Sequence, residues 1–421
     1  MRLVHDLALA AALALPSLAL LAWWGGVWFA MRQTRRQLGD LQTPVFSPDA
    51  APWPPAAPPR VCLITPAHNE ARSIAAHVRS LRDQTWPAFR GVLALDRCTD
   101  ATLPAALDAL QADPRIEIVE ITACPEDWAG KVHAIETARL RRPEVQDADI
   151  LIFTDADTVL HPRCVEAAVE LLVRERLDML SLLSTLTFTA PFERSAQGPA
   201  AFELLVRYPP LRASRAAGRR PFANGQFIAC TQDAYQRLGT HAAFRAHLLE
   251  DIAIARAAWD ARLAVRVLPA GAMLTCRMYP DALAFERGWR RIFTEAANRK
   301  VSRLRSWARL APWRNVAPPL LASIAVTVAI VRLITSPEPA ARLAWVAVGA
   351  LSVALGLVWL LVVARFLRQL GASDVRTLLA ALVQWPRGTL ALARLLARAA
   401  RDLEQGIATP WAGREYARPA R

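Results

Sequence analysis

Residues 7–30, LALAAALALPSLALLAWWGGVWFA, are 24 consecutive positions without a charge. A helix needs ~20 apolar residues to cross a hydrocarbon core of ~30 Å. The run satisfies that length and is long for a signal peptide, and MRQTRRQ follows it with no small-residue cleavage site. An uncleaved anchor is expected. Two further spans are expected at 316–334 and 342–366, joined by TSPEPA, which has no Lys or Arg. The outer flanks are basic instead: RQTRR, RLRSWARLAPWR and RFLRQ. By the positive-inside rule the 32–315 region and the C-terminal tail face the cytoplasm. The expectation is a multi-pass protein of the cell's inner (plasma) membrane.

Hydrophobic residues make up 54% of the chain, and this excess is concentrated in the spans. The net charge of +14 invites a nucleic-acid reading. Much of it sits beside the spans, however, where anionic headgroups attract it, so no nucleic-acid partner is expected. Only two of the 51 basic residues are lysine, Lys131 and Lys300. Six cysteines without a CxxC pair fit a reduced compartment and suggest neither zinc nor disulfides.

Residues 43–59 are proline-rich and read as a linker. Beyond them apolar runs alternate with helical patterns. RVCLIT (60–65), GVLALD (91–96), IEIVEI (116–121) and ILIFT (150–154) read as strands. NEARSIAAHVRSLRDQ and the stretch 130–142 read as helices, with another from about 100. Such alternation predicts a parallel sheet with helices on both faces, and ligands at the carboxyl ends of its strands.

The strand ends carry the candidate chemistry. After the first come Pro66, which should stop the ladder, and Asn69, a good helix N-cap, with Glu70 next. Asp96 after the second could accept a hydrogen bond from a nucleotide base, and Asp100 could cap the following helix. Asp155 and Asp157 flank one alanine after ILIFT. Two carboxylates so placed raise each other's pKa, a cost that a divalent cation removes. Hard oxygen ligands suit Mg²⁺ or Mn²⁺, which would bridge a diphosphate. Glu250 and Asp251 open a helical stretch, where a carboxylate could take a proton from an acceptor hydroxyl. Lys131 follows Gly130 at a helix start, where backbone amides and a compact charge would face an anionic ligand.

PAHNE, LDRCTDAT, GK, TDAD, NGQF (224–227) and LED, in this order and spacing over about residues 58–300, resemble the family 2 glycosyltransferases with the GT-A fold. The spans, RMYPDALAFERGWRR (277–291) and WAGREY (411–416) are similar to its membrane-bound lipid-glycosylating branch. That branch includes hopanoid-associated and carotenoid (diaponeurosporenoate) transferases and, distantly, ceramide glucosyltransferase. The resemblance implies an α/β fold with a doubly wound mixed sheet between N-terminal and C-terminal transmembrane helices. It divides the chain into an anchor (1–31), a linker (32–58), a cytoplasmic catalytic domain (59–300) and a basic juxtamembrane segment (301–315). Two spans and a tail (367–421) complete it, the tail being an interfacial helix or a fourth span broken at Pro386.

Carried onto this chain, the resemblance has Pro66, Asn69 and Glu70 lining the nucleotide pocket and Asp96 on the uracil or its ribose. Gly130 and Lys131 form a donor-site element. Asp155 and Asp157 hold the sugar nucleotide, Asp157 nearer the metal, and Asp251 of the Glu250–Asp251 pair is the general base. Asn224, Gly225, Arg287, Trp289, Arg290 and Arg291 serve the diphosphate and the acceptor. The implied partners are a nucleotide-sugar, expected to be UDP-linked, a lipid acceptor and the membrane.

Three departures qualify it. Leu95 stands where relatives often have a second aspartate. Arg287-Gly-Trp-Arg290-Arg291 lacks the closing tryptophan of processive polysaccharide synthases. Arg290-Arg291 also replaces a Lys-Asn pair common in the lipid branch. A processive synthase and a catalytically silent membrane scaffold are the competing readings.

Overall fold

The computed structural model describes residues 2–214, 220–411 and 414–416. Ala412 and Gly413 of the C-terminal tail, and 417–421 beyond it, lie outside the described residues. A 37-residue helix, α1 (Arg2–Leu38), leads into the proline-rich segment. That segment is fastened to the domain rather than loose. Ser47 N–H donates to Glu175 at 2.5 Å, Ala51 N–H to the Arg174 carbonyl at 2.8 Å, and Trp53 stacks on Trp86 with ring centres 5.8 Å apart.

The chain then alternates through β1 (Val61–Ala67), α2 (Ile74–Arg82), β2 (Phe89–Asp96), α3 (Thr102–Leu110), β3 (Ile116–Ile121), α4 (Gly130–Arg141) and the short α5 (Pro143–Gln146). β4 (Ile150–Thr154), β5 (Thr158–Leu160), α6 (Cys164–Arg174), β6 (Met179–Leu183) and β7 (Thr185–Leu186) follow. A π-helical turn, Glu193–Gln197, runs into α7 (Gly198–Arg207) and then α8 (Pro210–Ala213). β8 (Phe227–Thr231), α9 (Gln232–Arg237), α10 (Glu250–Asp260), β9 (Val265–Pro269), β10 (Leu274–Cys276) and α11 (Ala282–Ala296) close the domain.

The main sheet has the order β3-β2-β1-β4-β8-β6-β9, and β5-β10-β7 form a smaller one. β1 and β4 are buried along their whole length, because apolar runs without polar alternation need cover on both faces. Leu63 of β1 packs with Ile74 and Val78 of α2 on one face. Cys62 and Ile64 pack with Ala134 and Ile135 of α4 on the other. The parallel pairing expected from strand–helix alternation holds for β3-β2-β1-β4. It ends at β8, which is antiparallel to both neighbours, so the sheet is mixed.

Two local expectations fail. Pro66 does not stop the ladder, since β1 continues to Ala67 paired with Leu95. Pairing with β4 has ended by Ile64, so Pro66 sits where the strand has one partner, a position proline tolerates. Asn69 is not a helix cap: its φ of 58° puts it in a left-handed turn, and α2 starts only after Ser73. Its side-chain oxygen accepts from Thr99 N–H at 2.8 Å instead, tying the two strand-end loops together.

The expected juxtamembrane segment is the helix α12 (Val301–Asn315), continued by α13 (Ala317–Thr335) and then α14 (Pro339–Leu370). Three stretches are long and apolar enough to cross a membrane: Leu3–Leu38, Val301–Thr335 and Pro339–Leu370. The tail forms one 30-residue helix, α15 (Val375–Glu404), which Pro386 does not break. It is not among the spanning stretches. Its buried face, including Leu378, Trp385, Leu392 and Leu396, packs into the same cluster as α7, α11 and α14, and this packing outweighs the proline penalty. Phe202 of α7 is the meeting point. Its ring lies 5.3 Å from Trp24 of α1, 5.2 Å from Phe366 of α14 and 5.6 Å from Trp385 of α15. Beside it buried Glu203 binds Arg207, Arg314 and Asn315, so domain and membrane helices share one core.

Candidate active site

From β1 the sheet order runs outward to β2 on one side and β4 on the other. A crevice forms at strand carboxyl ends where the order reverses in this way. A cavity of about 400 Å³ opens there, reached by Pro66 and Glu70 after β1, Asp96 ending β2, and Asp155 and Asp157 after β4.

Lys131 stands at the centre of its charged end. Nζ lies 2.7 Å from Asp155 Oδ1 and 2.7 Å from Glu250 Oε1, and donates to the Gly225 carbonyl at 3.3 Å. Three acceptors therefore meet its three protons, and the ammonium ties the turn after β4 to the start of α10. Lys131 lines the cavity, as a cation facing the donor would, and is at the same time a strut between two carboxylates. Gly225 is required by this closeness. A Cβ there would sit 3.0 Å from Nζ, 3.2 Å from Asp251 Oδ2 and 3.3 Å from Glu250 Oε1. Gly130 has a similar reason, because its Cβ would meet both Asp96 and Arg97 at 2.9 Å. Arg97 grips the Asp96 carboxylate through Nε at 2.8 Å and Nη2 at 2.6 Å.

The paired carboxylates differ in their surroundings. Burial works against the charge of Glu250, but Lys131 prevails and holds its pKa below the ordinary value. Burial works against the Lys131 charge too, yet Asp155 and Glu250 raise its pKa. Lys131 also favours the charge of Asp251 but does not prevail there. Burial first, and then Glu250 beside it, push it up to about 6, while it accepts from Gly225 N–H at 2.9 Å. A carboxylate held there is suited to general-base work near neutral pH. Asp155 is raised by burial despite Lys131, and Asp157 is raised further, by burial and by Asp155.

Asp157 also has a buried Oδ1 with no hydrogen-bond partner. An orphaned buried oxygen of this kind is a place for a ligand. Among the described residues no three His, Cys, Asp or Glu side chains gather as a preformed metal cluster. Asp155 and Asp157 nonetheless suit Mg²⁺ or Mn²⁺, which take one or two carboxylates when phosphate oxygens complete the shell.

The other end of the cavity is apolar. Leu204 and Leu205 of α7, Trp289 and Ile292 of α11, Ile252 of α10 and Leu370 line it. Leu370 is the last residue of α14, the third spanning stretch. The Trp289 indole N–H is buried in this wall with no acceptor.

Most of the residues expected from sequence meet here: Pro66, Glu70, Asp96, Gly130, Lys131, Asp155, Asp157, Asn224, Gly225, Glu250, Asp251, Trp289 and Arg291 all line the cavity. Three do not. Asn69 is exposed on its turn, Arg287 is exposed on α11, and Arg290 pairs with Asp402 of α15 at 2.9 Å. At i, i+3 and i+4 the three could share one side of a helix, but Arg290 is drawn to α15 and Arg287 lies exposed. Arg291 is the one turned inward, donating to the Leu248 carbonyl at 2.8 Å. Sequence reading missed Gln226, Ser184 and Tyr279, which also line the cavity. Gln226 and Tyr279 lay in plain view within NGQF and RMYP, whereas Ser184 carries no local signal.

Residues 62–239 match the family model described as glycosyl transferase family 2. The mixed sheet with its carboxyl-end crevice is of the GT-A type. Among solved structures, the chain is similar to the mannosyltransferase PcManGT from Pyrobaculum calidifontis in complex with GDP-Man and Mn²⁺. Identity is 18%, with 94% of this chain and 98% of that one covered, at a TM-score of 0.49. It is also similar to glucosyl-3-phosphoglycerate synthase from Mycobacterium tuberculosis in complex with Mn²⁺, UDP and glucosyl-3-phosphoglycerate. There identity is 16%, with 53% and 73% covered, at a TM-score of 0.36. No curated protein sequence matches the chain.

Proposed function

We propose that the chain is a membrane-embedded inverting glycosyltransferase that moves one sugar from a nucleotide-sugar, UDP-linked, to a hydroxyl or carboxyl of a lipid. One observation carries this reading. A single cavity is lined both by a carboxylate cluster and by apolar side chains, among them Leu370, the last residue of a helix long and apolar enough to cross a membrane. A wholly water-soluble acceptor would have no use for such an apolar lining.

In this reading Asp251 accepts the proton of the acceptor hydroxyl while that oxygen attacks the anomeric carbon, and the bond to the diphosphate breaks with its electron pair. The α4 amide end and Arg291 face the charge that develops there. Asp157, with Asp155, would hold Mg²⁺ or Mn²⁺, which neutralises the departing diphosphate when bound. Lys131 fixes Asp155 and Glu250 so that neither needs reorganising. The Trp289 N–H is placed to donate to a polar head drawn against the cavity's apolar lining. The basic flanks put this machinery on the cytoplasmic side of the plasma membrane.

The test is transfer by the full-length protein in detergent, with radiolabelled UDP-sugar and a total lipid extract. Label should enter the organic phase with wild type and not with Asp157→Ala, whose thermal unfolding should be near normal. Full turnover by Asp157→Ala would refute the site.

A further inference from the structure

Beneath the Asp155-Ala156-Asp157 turn lies a buried network that the transfer chemistry does not use. Thr65 of β1, His77 of α2, Thr154 of β4 and Thr158 of β5 are each 0–1% exposed. His77 Nδ1 is 2.9 Å from the Thr158 carbonyl oxygen, and Nε2 is 2.8 Å from Thr65 Oγ1. A carbonyl only accepts, so Nδ1 carries the proton and Nε2 accepts from the threonine hydroxyl. Burial pushes the imidazole down to about 4, which keeps it in this neutral form. The Thr158 hydroxyl in turn donates to the Asp155 carbonyl at 2.7 Å and lies 2.9 Å from the Thr154 hydroxyl, which is 2.9 Å from the Gln226 carbonyl.

Thr158 both closes the turn that carries Asp157 and opens β5, where it pairs with Cys276 of β10. The next residue, Arg277, donates its N–H to the Asp157 carbonyl at 3.1 Å. Asp157 is thus pinned from β10 on one side and, through Thr158, from α2 on the other. His77 is the only side chain on α2 in this network, and its two nitrogens reach two different elements. A leucine would fill the space as well and spare the cost of burying a polar group.

We propose that His77 is a positioning residue for the cation and diphosphate site: its Nδ1–H fixes the Thr158 backbone and thereby the direction of the unpaired Asp157 oxygen. This rests on the proposed role of Asp155 and Asp157 in receiving a diphosphate and its metal. Asn at position 77 keeps an N–H donor near the Nδ1 position, whereas Phe keeps the ring shape and loses both contacts.

The experiment measures Mn²⁺ binding to full-length protein in detergent with UDP present, by electron paramagnetic resonance of the free ion, alongside kcat, donor KM and melting temperature. Removing a hydrogen bond that orients a metal-holding carboxylate weakens metal binding by about tenfold or more. His77→Phe should therefore raise the Mn²⁺ dissociation constant about tenfold, with kcat at saturating Mn²⁺ changed much less. His77→Asn should restore most of the affinity. A His77→Phe protein that loses stability or active fraction but binds Mn²⁺ as tightly as wild type would overturn the proposal, leaving a merely structural histidine. If His77→Phe does not fold, Thr65→Val carries the test, because it removes only the Nε2 partner. It should weaken Mn²⁺ binding by roughly threefold, and unchanged binding would overturn the role. Wild-type protein that bound no Mn²⁺ with UDP would overturn the reading of the site itself, and this inference with it.

Discussion

At the charged end of the cavity, Lys131, Arg97 and backbone amides meet the carboxylates, and Asp157 keeps a buried oxygen, Oδ1, without a hydrogen-bond partner. The cavity's apolar lining includes leucine, isoleucine and tryptophan from α7 and α11, together with Leu370 at the end of α14. The charged end stands on loops held by the sheet, where a fixed geometry can be imposed on a diphosphate. The apolar end stands on helices that share their core with α1, α14 and α15. A reaction that joins a water-soluble donor to a lipid needs both kinds of surface within one bond length of each other. Gly225, Asp251 and Ile252 are the hinge between them.

If the ends are separable, changes at one should leave the other's ligand untouched. Asp251→Asn, which keeps shape and removes the base, should lower kcat about a thousandfold. Donor KM should change little, and a large donor effect would mean that Asp251 belongs to the charged end alone. The same residue sets the pH profile. Its pKa is raised to about 6 and it acts only when deprotonated, so kcat should be level above that range. Below it, kcat should fall about tenfold per pH unit. Asp157→Asn should cost at least about a hundredfold in turnover and abolish stimulation by Mn²⁺, without affecting lipid KM. Lys131→Arg should cost roughly tenfold, because a guanidinium fork cannot meet the same three acceptors. Lys131→Met should in addition destabilise by about 3 kcal/mol, as Glu250 and Asp155 lose their buried counter-charge, read as a lowered melting temperature. An effect of similar size to that of Lys131→Arg, confined to the other ligand, belongs to the apolar end. Leu205→Ala should raise lipid KM about tenfold, with donor KM unchanged; equal shifts in both would collapse the distinction.

The sequence made the strand ends legible because buried central strands have few alternatives: VCLIT and ILIFT carry no polar alternation and must lie between layers. Asp96, Asp155 and Asp157 therefore fall at strand ends both in the sequence pattern and in the fold. Glu250 and Asp251 are legible as a pair, but not the contact that distinguishes them, since only the fold brings Lys131 Nζ to 2.7 Å from Glu250. Asn69 misled because an N-cap residue is also a left-handed turn residue, and only the loop from β2 decides between the two. Arg287 and Arg290 misled because a motif gives spacing, while the packing of α15 decides which way a helix turns. His77 was invisible. Nothing local separates a histidine that holds a catalytic turn from one that fills a helix face, and Thr158 lies 81 residues away.

The joining of the two ends is tested most directly by the product. Full-length protein in detergent, given UDP-sugar, Mn²⁺ and a total lipid extract, should yield a lipid heavier by one sugar residue in mass spectrometry. That species should be missing with Asp251→Asn. A water-soluble polymer, or free sugar with no modified lipid, would contradict the assignment of the apolar end to a lipid acceptor.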